Sequence, residues 1–129
     1  MKTSDKEDIK KPFILIADDD NGCLDVLEKM LDKLGYEVCA VHDGREAIEA
    51  YKFRKNKFDL VILDMEMPYN GEKTYTELRK INKNAKILLI SGYTKNYRLN
   101  SLLEQGNCAF LSKPFTLNSL KMNVAEMIN

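Results

Sequence analysis

The 129-residue chain lacks most of the features that would tie it to a membrane, a polyanion or an oxidising compartment. Lys plus Arg and Asp plus Glu number twenty each, so no net field draws it to nucleic acid or anionic lipid. DNA binding by the chain itself is not expected. Its three cysteines, Cys23, Cys39 and Cys108, are odd in number and show no C-x-x-C spacing. They read as small core residues in a reducing compartment, neither a disulfide framework nor a zinc site. No apolar run approaches the roughly 20 residues of a membrane span, and no signal-peptide apolar region opens the chain. A cytoplasmic location is expected. There is one histidine, His42, at the end of a strand candidate, and it reads as a surface residue. No internal repeat and no low-complexity segment appears.

What is present alternates regularly. Residues 1–11 are charged and aperiodic and read as a flexible tail, leaving one domain over residues 12–129. Phe13–Ala17 is a short continuous apolar run, the pattern of a strand covered on both faces. Leu24, Leu27, Met30, Leu31 and Leu34 follow at helical spacing, with Gly35 at the place of a C-terminal cap. Strands are then expected at Glu37–Val41, Leu60–Leu63, Ile87–Ile90 and Ala109–Leu111. Helices are expected at about Gly44–Lys55, around Thr74, Leu78 and Ile81, around Leu99, Leu102 and Leu103 up to Gly106, and over Leu117–Met127. Five β-then-α units with apolar strands imply a single α/β domain, a doubly wound, five-stranded parallel sheet with right-handed crossovers. In such sheets the site lies outside the carboxyl ends of the strands.

Those ends carry chemistry. Asp18, Asp19 and Asp20 follow the first strand, Asp64 the third, Ser91 the fourth and Lys113 the fifth. Four carboxylates at one rim repel each other unless a cation joins them, and hard oxygen ligands with room for water suit Mg²⁺. A carboxylate beside such a metal is a nucleophile toward phosphorus; an ammonium and a hydroxyl can hold phosphoryl oxygens. Each residue also has an ordinary reading, as helix cap, turn residue or loop serine. Their joint placement after strands one, three, four and five favours the functional one.

With Ile14-Leu15-Ile16-Ala17-Asp18-Asp19-Asp20, Leu63-Asp64-Met65-Glu66-Met67-Pro68, Ile90-Ser91-Gly92 and Leu111-Ser112-Lys113-Pro114-Phe115, the chain resembles the response-regulator receiver domain of two-component signalling. The resemblance runs from Phe13 to the C-terminus. It implies the flavodoxin-like strand order 2-1-3-4-5 and a module that phosphorylates and dephosphorylates itself, not an enzyme turning over a separate substrate. It makes Asp64 the phosphoacceptor, with Asp18 or Asp19, Asp64 and the backbone carbonyl of Glu66 as Mg²⁺ ligands, Asp19 being favoured over Asp18. Ser91 becomes the switch hydroxyl, Phe110 the aromatic switch position, and Lys113 the cationic partner with a cis bond to Pro114. The phosphodonor implied is a sensor histidine kinase or a histidine phosphotransfer protein, and the output is contact with a downstream protein. The segment Asn70–Tyr93 and Leu102–Gly106 further resemble receivers of hybrid sensor kinases.

The sequence also departs from the family. Pro68-Tyr69-Asn70-Gly71 is one residue shorter than usual, Asp20 stands where Glu is common, and Phe110 lacks the hydroxyl of the usual Tyr. Switching at Phe110 is therefore expected to work through packing, with an inward ring populated even before phosphorylation. Cys108 and Ala109 precede Phe110 in place of an acidic residue, so the dimer of transcription-factor receivers is not expected. Three other readings compete. A flavodoxin needs a Ser/Thr/Gly-rich phosphate loop where this chain has three aspartates. A haloacid-dehalogenase-type phosphatase carries Asp-x-Asp after its first strand. A phosphorylation-independent pseudo-receiver is the alternative that the complete residue set opposes and the short loop favours.

Overall fold

The computed structural model describes residues 11–54, 57–67, 69–92 and 97–129. Residues 1–10 of the expected tail, Lys55 of the expected second helix and Pro68 lie outside the described residues. Among the described residues, five strands and five helices alternate: β1 Phe13–Ala17, α1 Asn21–Lys33, β2 Glu37–Val41, α2 Gly44–Phe53, β3 Leu60–Asp64, α3 Gly71–Ile81, β4 Ile87–Ser91, α4 Tyr97–Leu103, β5 Cys108–Ser112 and α5 Leu117–Ile128. All four strand pairings are parallel, in the order β2-β1-β3-β4-β5. The fifth strand runs one residue further at each end than its apolar run suggested.

The period-two geometry of strands sorts the apolar runs into two cores. Leu15, Ala17, Val61, Leu63, Ile87 and Leu89 face one side, against Ala47 and Tyr51 of α2, Tyr75 and Leu78 of α3, and Leu99 and Leu102 of α4. Ile14, Ile16, Leu60, Ile62, Leu88 and Ile90 face the other, against Leu24, Leu27 and Leu31 of α1 and Leu120 and Val124 of α5. Covered on both faces, β3 and β4 are buried along their whole length. That is why they read as unbroken apolar runs.

The helices start on caps: Asp20 for α1, Asp43 for α2, Asn70 for α3 and Thr116 for α5, each accepting a first-turn backbone N–H. Gly35 (φ 97°) ends α1 in the left-handed region that glycine tolerates. Helices α2 and α3 approach so closely that a Cβ on Gly44 would stand 2.0 Å from Thr74 Oγ1. The far end of α4 is tied down: Tyr75 Oη lies 3.3 Å from the Leu102 carbonyl, and an Arg79 guanidinium nitrogen donates to Gly106 O at 2.6 Å and Asn107 O at 3.0 Å.

One expectation is corrected by burial. Cys23 is exposed on α1 and is not a core residue.

Candidate functional site

Because all five strands run the same way, their carboxyl ends form one rim, and the residues just past them meet there. Asp64 is the last residue of β3, at 5% exposure; Asp18, one residue past β1, is 3% exposed. Asp19 beside it is exposed. Carboxylate oxygens of Asp18, Asp19 and Asp64 all lie within 4.8 Å of one another. Asp20 does not join them. Its side chain turns back to accept from Cys23 N–H at 3.1 Å as the cap of α1, so three carboxylates converge where four were expected.

Lys113 reaches this cluster from the end of β5. Its backbone N–H donates to Ser91 O at 2.8 Å, pinning the start of the β5–α5 turn to the end of β4. Its Nζ lies 3.4 Å from Asp18 Oδ2 and 3.5 Å from Asp64 Oδ1. The Lys113–Pro114 bond is cis, as expected. Backbone amides complete the frame: Asp20 N–H donates to Asp18 Oδ1 at 2.9 Å, and Glu66 N–H to Asp64 Oδ1 at 3.1 Å.

The electrostatics follow from burial. Loss of water pushes the Asp64 carboxyl up to about 6, with the neighbouring Asp18 adding to the rise; the Glu66 amide and Lys113 oppose it. Burial on its own lowers the Lys113 ammonium, but the Asp64 and Asp18 carboxylates outweigh it and leave the group raised. Among the described residues, the three clustered carboxylates against the Lys113 ammonium leave two negative charges in excess, and two of the three carboxylates are cut off from water. A divalent, oxygen-preferring cation fits that donor set by charge and by chemistry.

Ser91, the last residue of β4, is 4% exposed. Its hydroxyl donates to Glu66 Oε2 at 2.5 Å, and Gly92 N–H donates to Glu66 Oε1 at 3.1 Å. From the sequence, Glu66 enters the site only through its backbone carbonyl. Its carboxylate partners lie 25 and 26 residues away and carry no local signal. Phe110 sits in the middle of β5 opposite Leu89, half-buried against the α2–α3–α4 core. His42, just past β2, is exposed, and its backbone N–H donates to Glu46 Oε1 on α2.

Sequence reasoning also missed a groove of about 510 Å³ beside Asp18 and Lys113, with Val26, Leu27, Met30 and Phe115 among its mostly apolar lining residues. Its α1 wall includes Val26, 51% exposed.

Comparison with known proteins agrees with this architecture. The profile of the response regulator receiver domain matches residues 14–125. A two-component response regulator of Arabidopsis thaliana is 31% identical over 108 residues, 84% of this chain and 20% of that protein. A transcription factor of Candida albicans is 32% identical over 111 residues, 85% of this chain and again 20% of the relative. This chain thus spans about a fifth of the length of such relatives. Among solved structures, a receiver domain protein of Clostridium thermocellum superposes with a TM-score of 0.86 at 26% identity, covering 92% of this chain and 94% of that one. The receiver domain of the hybrid histidine kinase CckA gives 0.77 at 27% identity, covering 91% and 99%. The CheX–CheY–BeF3–Mg complex of Borrelia burgdorferi gives 0.84 at 26% identity, covering 92% and 90%. Sheet order, rim and profile agree: this chain belongs to the response regulator receiver domain family of two-component signalling.

Proposed function

We propose that this chain is a phosphoacceptor signalling domain in which Asp64 takes a phosphoryl group from a partner's phosphohistidine. The observation that carries the reading is the position of Asp64: buried at the rim, 3.5 Å from Lys113 Nζ and clustered with Asp18 and Asp19. An Asp64 carboxylate oxygen attacks phosphorus, the phosphorus–nitrogen bond breaks, and its electron pair leaves with the imidazole. The product is an acyl phosphate on Asp64. With its carboxyl pushed up to about 6, Asp64 is mostly ionised at neutral pH and ready to attack.

Lys113 is within reach to pair with a phosphoryl oxygen once Asp64 has spent its own charge. Asp18, Asp19, Asp64 and the Glu66 carbonyl would hold Mg²⁺. When bound, the ion neutralises the charge that otherwise repels an incoming phosphoryl group. After transfer, Ser91 donates to a phosphoryl oxygen and the change passes to the β4, α4 and β5 surface around Phe110. The phosphodonor is a sensor histidine kinase or a histidine phosphotransfer protein, and the apolar groove beside Asp18 and Lys113 supports docking next to the site. The output is contact with a downstream protein, and the balanced charge of the chain gives no support for direct nucleic-acid binding. Loss of the phosphoryl group is by the domain's own hydrolysis, with no separate substrate turned over. The receiver occupies residues 12–129, after a tail over residues 1–11. A cytoplasmic setting accords with three unpaired cysteines. Among the described residues, no helix is long and apolar enough to cross a membrane.

Intact-mass spectrometry after incubation with acetyl phosphate and Mg²⁺ tests the reading. The native chain should gain one phosphoryl group, and Asp64→Asn or chelation should abolish the gain. Labelling of Asp64→Asn would overturn the choice of nucleophile. A native chain that stays unlabelled would favour the phosphorylation-independent alternative.

A further inference from the structure

The Glu66 side chain has no part in the phosphoryl transfer proposed above, yet both of its oxygens are engaged at the end of β4. Oε2 accepts from the Ser91 hydroxyl at 2.5 Å and Oε1 from Gly92 N–H at 3.1 Å. We infer that Glu66 is a positioning residue that holds the Ser91–Gly92 turn in its unphosphorylated arrangement, by occupying the hydroxyl proton that a phosphoryl group on Asp64 would need. This rests on the phosphoacceptor reading.

The supply of protons at Ser91 forces a choice. A serine hydroxyl has one proton to donate; a carboxylate and a phosphoryl group both only accept. Ser91 can therefore serve Glu66 or the phosphoryl group, but not both. The two acceptors lie on one turn: Glu66 follows Asp64 by two residues, and its backbone N–H donates to Asp64 Oδ1 at 3.1 Å. Withdrawing the Ser91 hydroxyl breaks half of a two-point clamp, and the Gly92 bond, held by the same carboxylate, loses its geometry with it. Phosphorylation becomes an exchange of acceptors at Ser91, and Glu66 sets how strongly the exchange is resisted. Both bonds end on a carboxylate and are of the stronger kind, though Glu66 is solvent-exposed, which weakens each.

The test titrates native protein, Glu66→Ala, Glu66→Asp and Glu66→Gln with beryllofluoride in Mg²⁺, following the Gly92 amide by NMR. Before any beryllofluoride is added, the Gly92 resonance of Glu66→Ala should already lie displaced in the direction the native resonance takes on saturation. Its apparent affinity should be about ten-fold tighter than native, the change that about 1.4 kcal/mol produces. Glu66→Asp keeps the charge but is one methylene too short for the clamp, so it should tighten as well. Tightening in Glu66→Gln with native affinity in Glu66→Asp would mean that charge repulsion alone acts, and would overturn the inference. In a Ser91→Ala background, replacing Glu66 should change affinity less than two-fold; a full ten-fold effect there also overturns it. If the native chain binds no beryllofluoride and takes no phosphoryl group from acetyl phosphate, the phosphoacceptor reading fails and the inference falls with it. If it binds normally and Glu66→Ala behaves as native, only the inference fails.

Discussion

Replacing Asp64 by Asn removes the proposed nucleophile, yet in the absence of metal it should make the fold more stable. The Asp64 carboxyl stands at about 6 against an ordinary 3.8, a gap of roughly two units. At 1.36 kcal/mol per unit, ionising Asp64 in the native state costs roughly 3 kcal/mol at neutral pH. The attraction of Lys113 is already included in that shift, and the Asn carbonyl can still accept from Glu66 N–H. Because the native-state value is raised, the protonated form favours folding. This contribution is present at low pH, declines as pH rises from about 4 to about 6, and is flat above. In EDTA at pH 7.5, Asp64→Asn should therefore gain up to about 3 kcal/mol, a rise in Tm on the order of ten degrees at roughly 4 °C per kcal/mol. Urea unfolding at a series of pH values gives the difference curve, in which groups common to both proteins cancel. The stability gap should open between pH 4 and 6. A variant less stable than native at pH 7.5, or a gap that does not change with pH, would refute the electrostatic account. Adding Mg²⁺ should narrow the gap, since a ligand bound only by the native state stabilises it by mass action.

Lys113→Gln should have the opposite sign, destabilising the metal-free protein by roughly 1–2 kcal/mol at pH 7, because buried carboxylates lose their compensating charge. The raised Lys113 ammonium contributes stability that is present at neutral pH and lost only as pH climbs past its ordinary 10.5 and through its raised native value. Thermal unfolding of native and variant at pH 7 and above pH 11 checks both points. Asp19→Ala should weaken Mg²⁺ binding, read by calorimetry, while leaving metal-free stability within about 0.5 kcal/mol, since Asp19 is exposed. Gly44→Ala should cost about 2–4 kcal/mol in urea unfolding, because its Cβ would meet Thr74 Oγ1 at 2.0 Å and Tyr69 O at 2.8 Å, and Thr74 is fully buried on α3 where it approaches α2.

Much of this is legible in the sequence by itself. Apolar runs ending abruptly at Ala17, Leu63, Ile90 and Leu111 mark parallel strands, and a parallel βα series delivers every carboxyl end to one edge. Asp18, Asp19, Asp64, Ser91 and Lys113 could therefore be brought together without knowing a single distance. Side-chain direction is another matter. The sequence does not separate Asp20, which caps α1, from Asp18, whose carboxylate points into the rim, because the choice depends on where the first helical turn begins. Cys23 looks like a core residue by type but faces outward, since Leu24, Leu27 and Leu31 already take the buried stripe of α1. The raised state of Asp64 needed the burial and the Asp18 carboxylate that only packing supplies. The grip of Glu66 on Ser91 and Gly92 joins residues 25 and 26 positions apart, at the carboxyl ends of two strands brought side by side by the fold. Local pattern determines which elements form and what stands at their ends; only tertiary packing decides which of those side chains meet, because burial, charge coupling and hydrogen-bond partnership depend on distance in space.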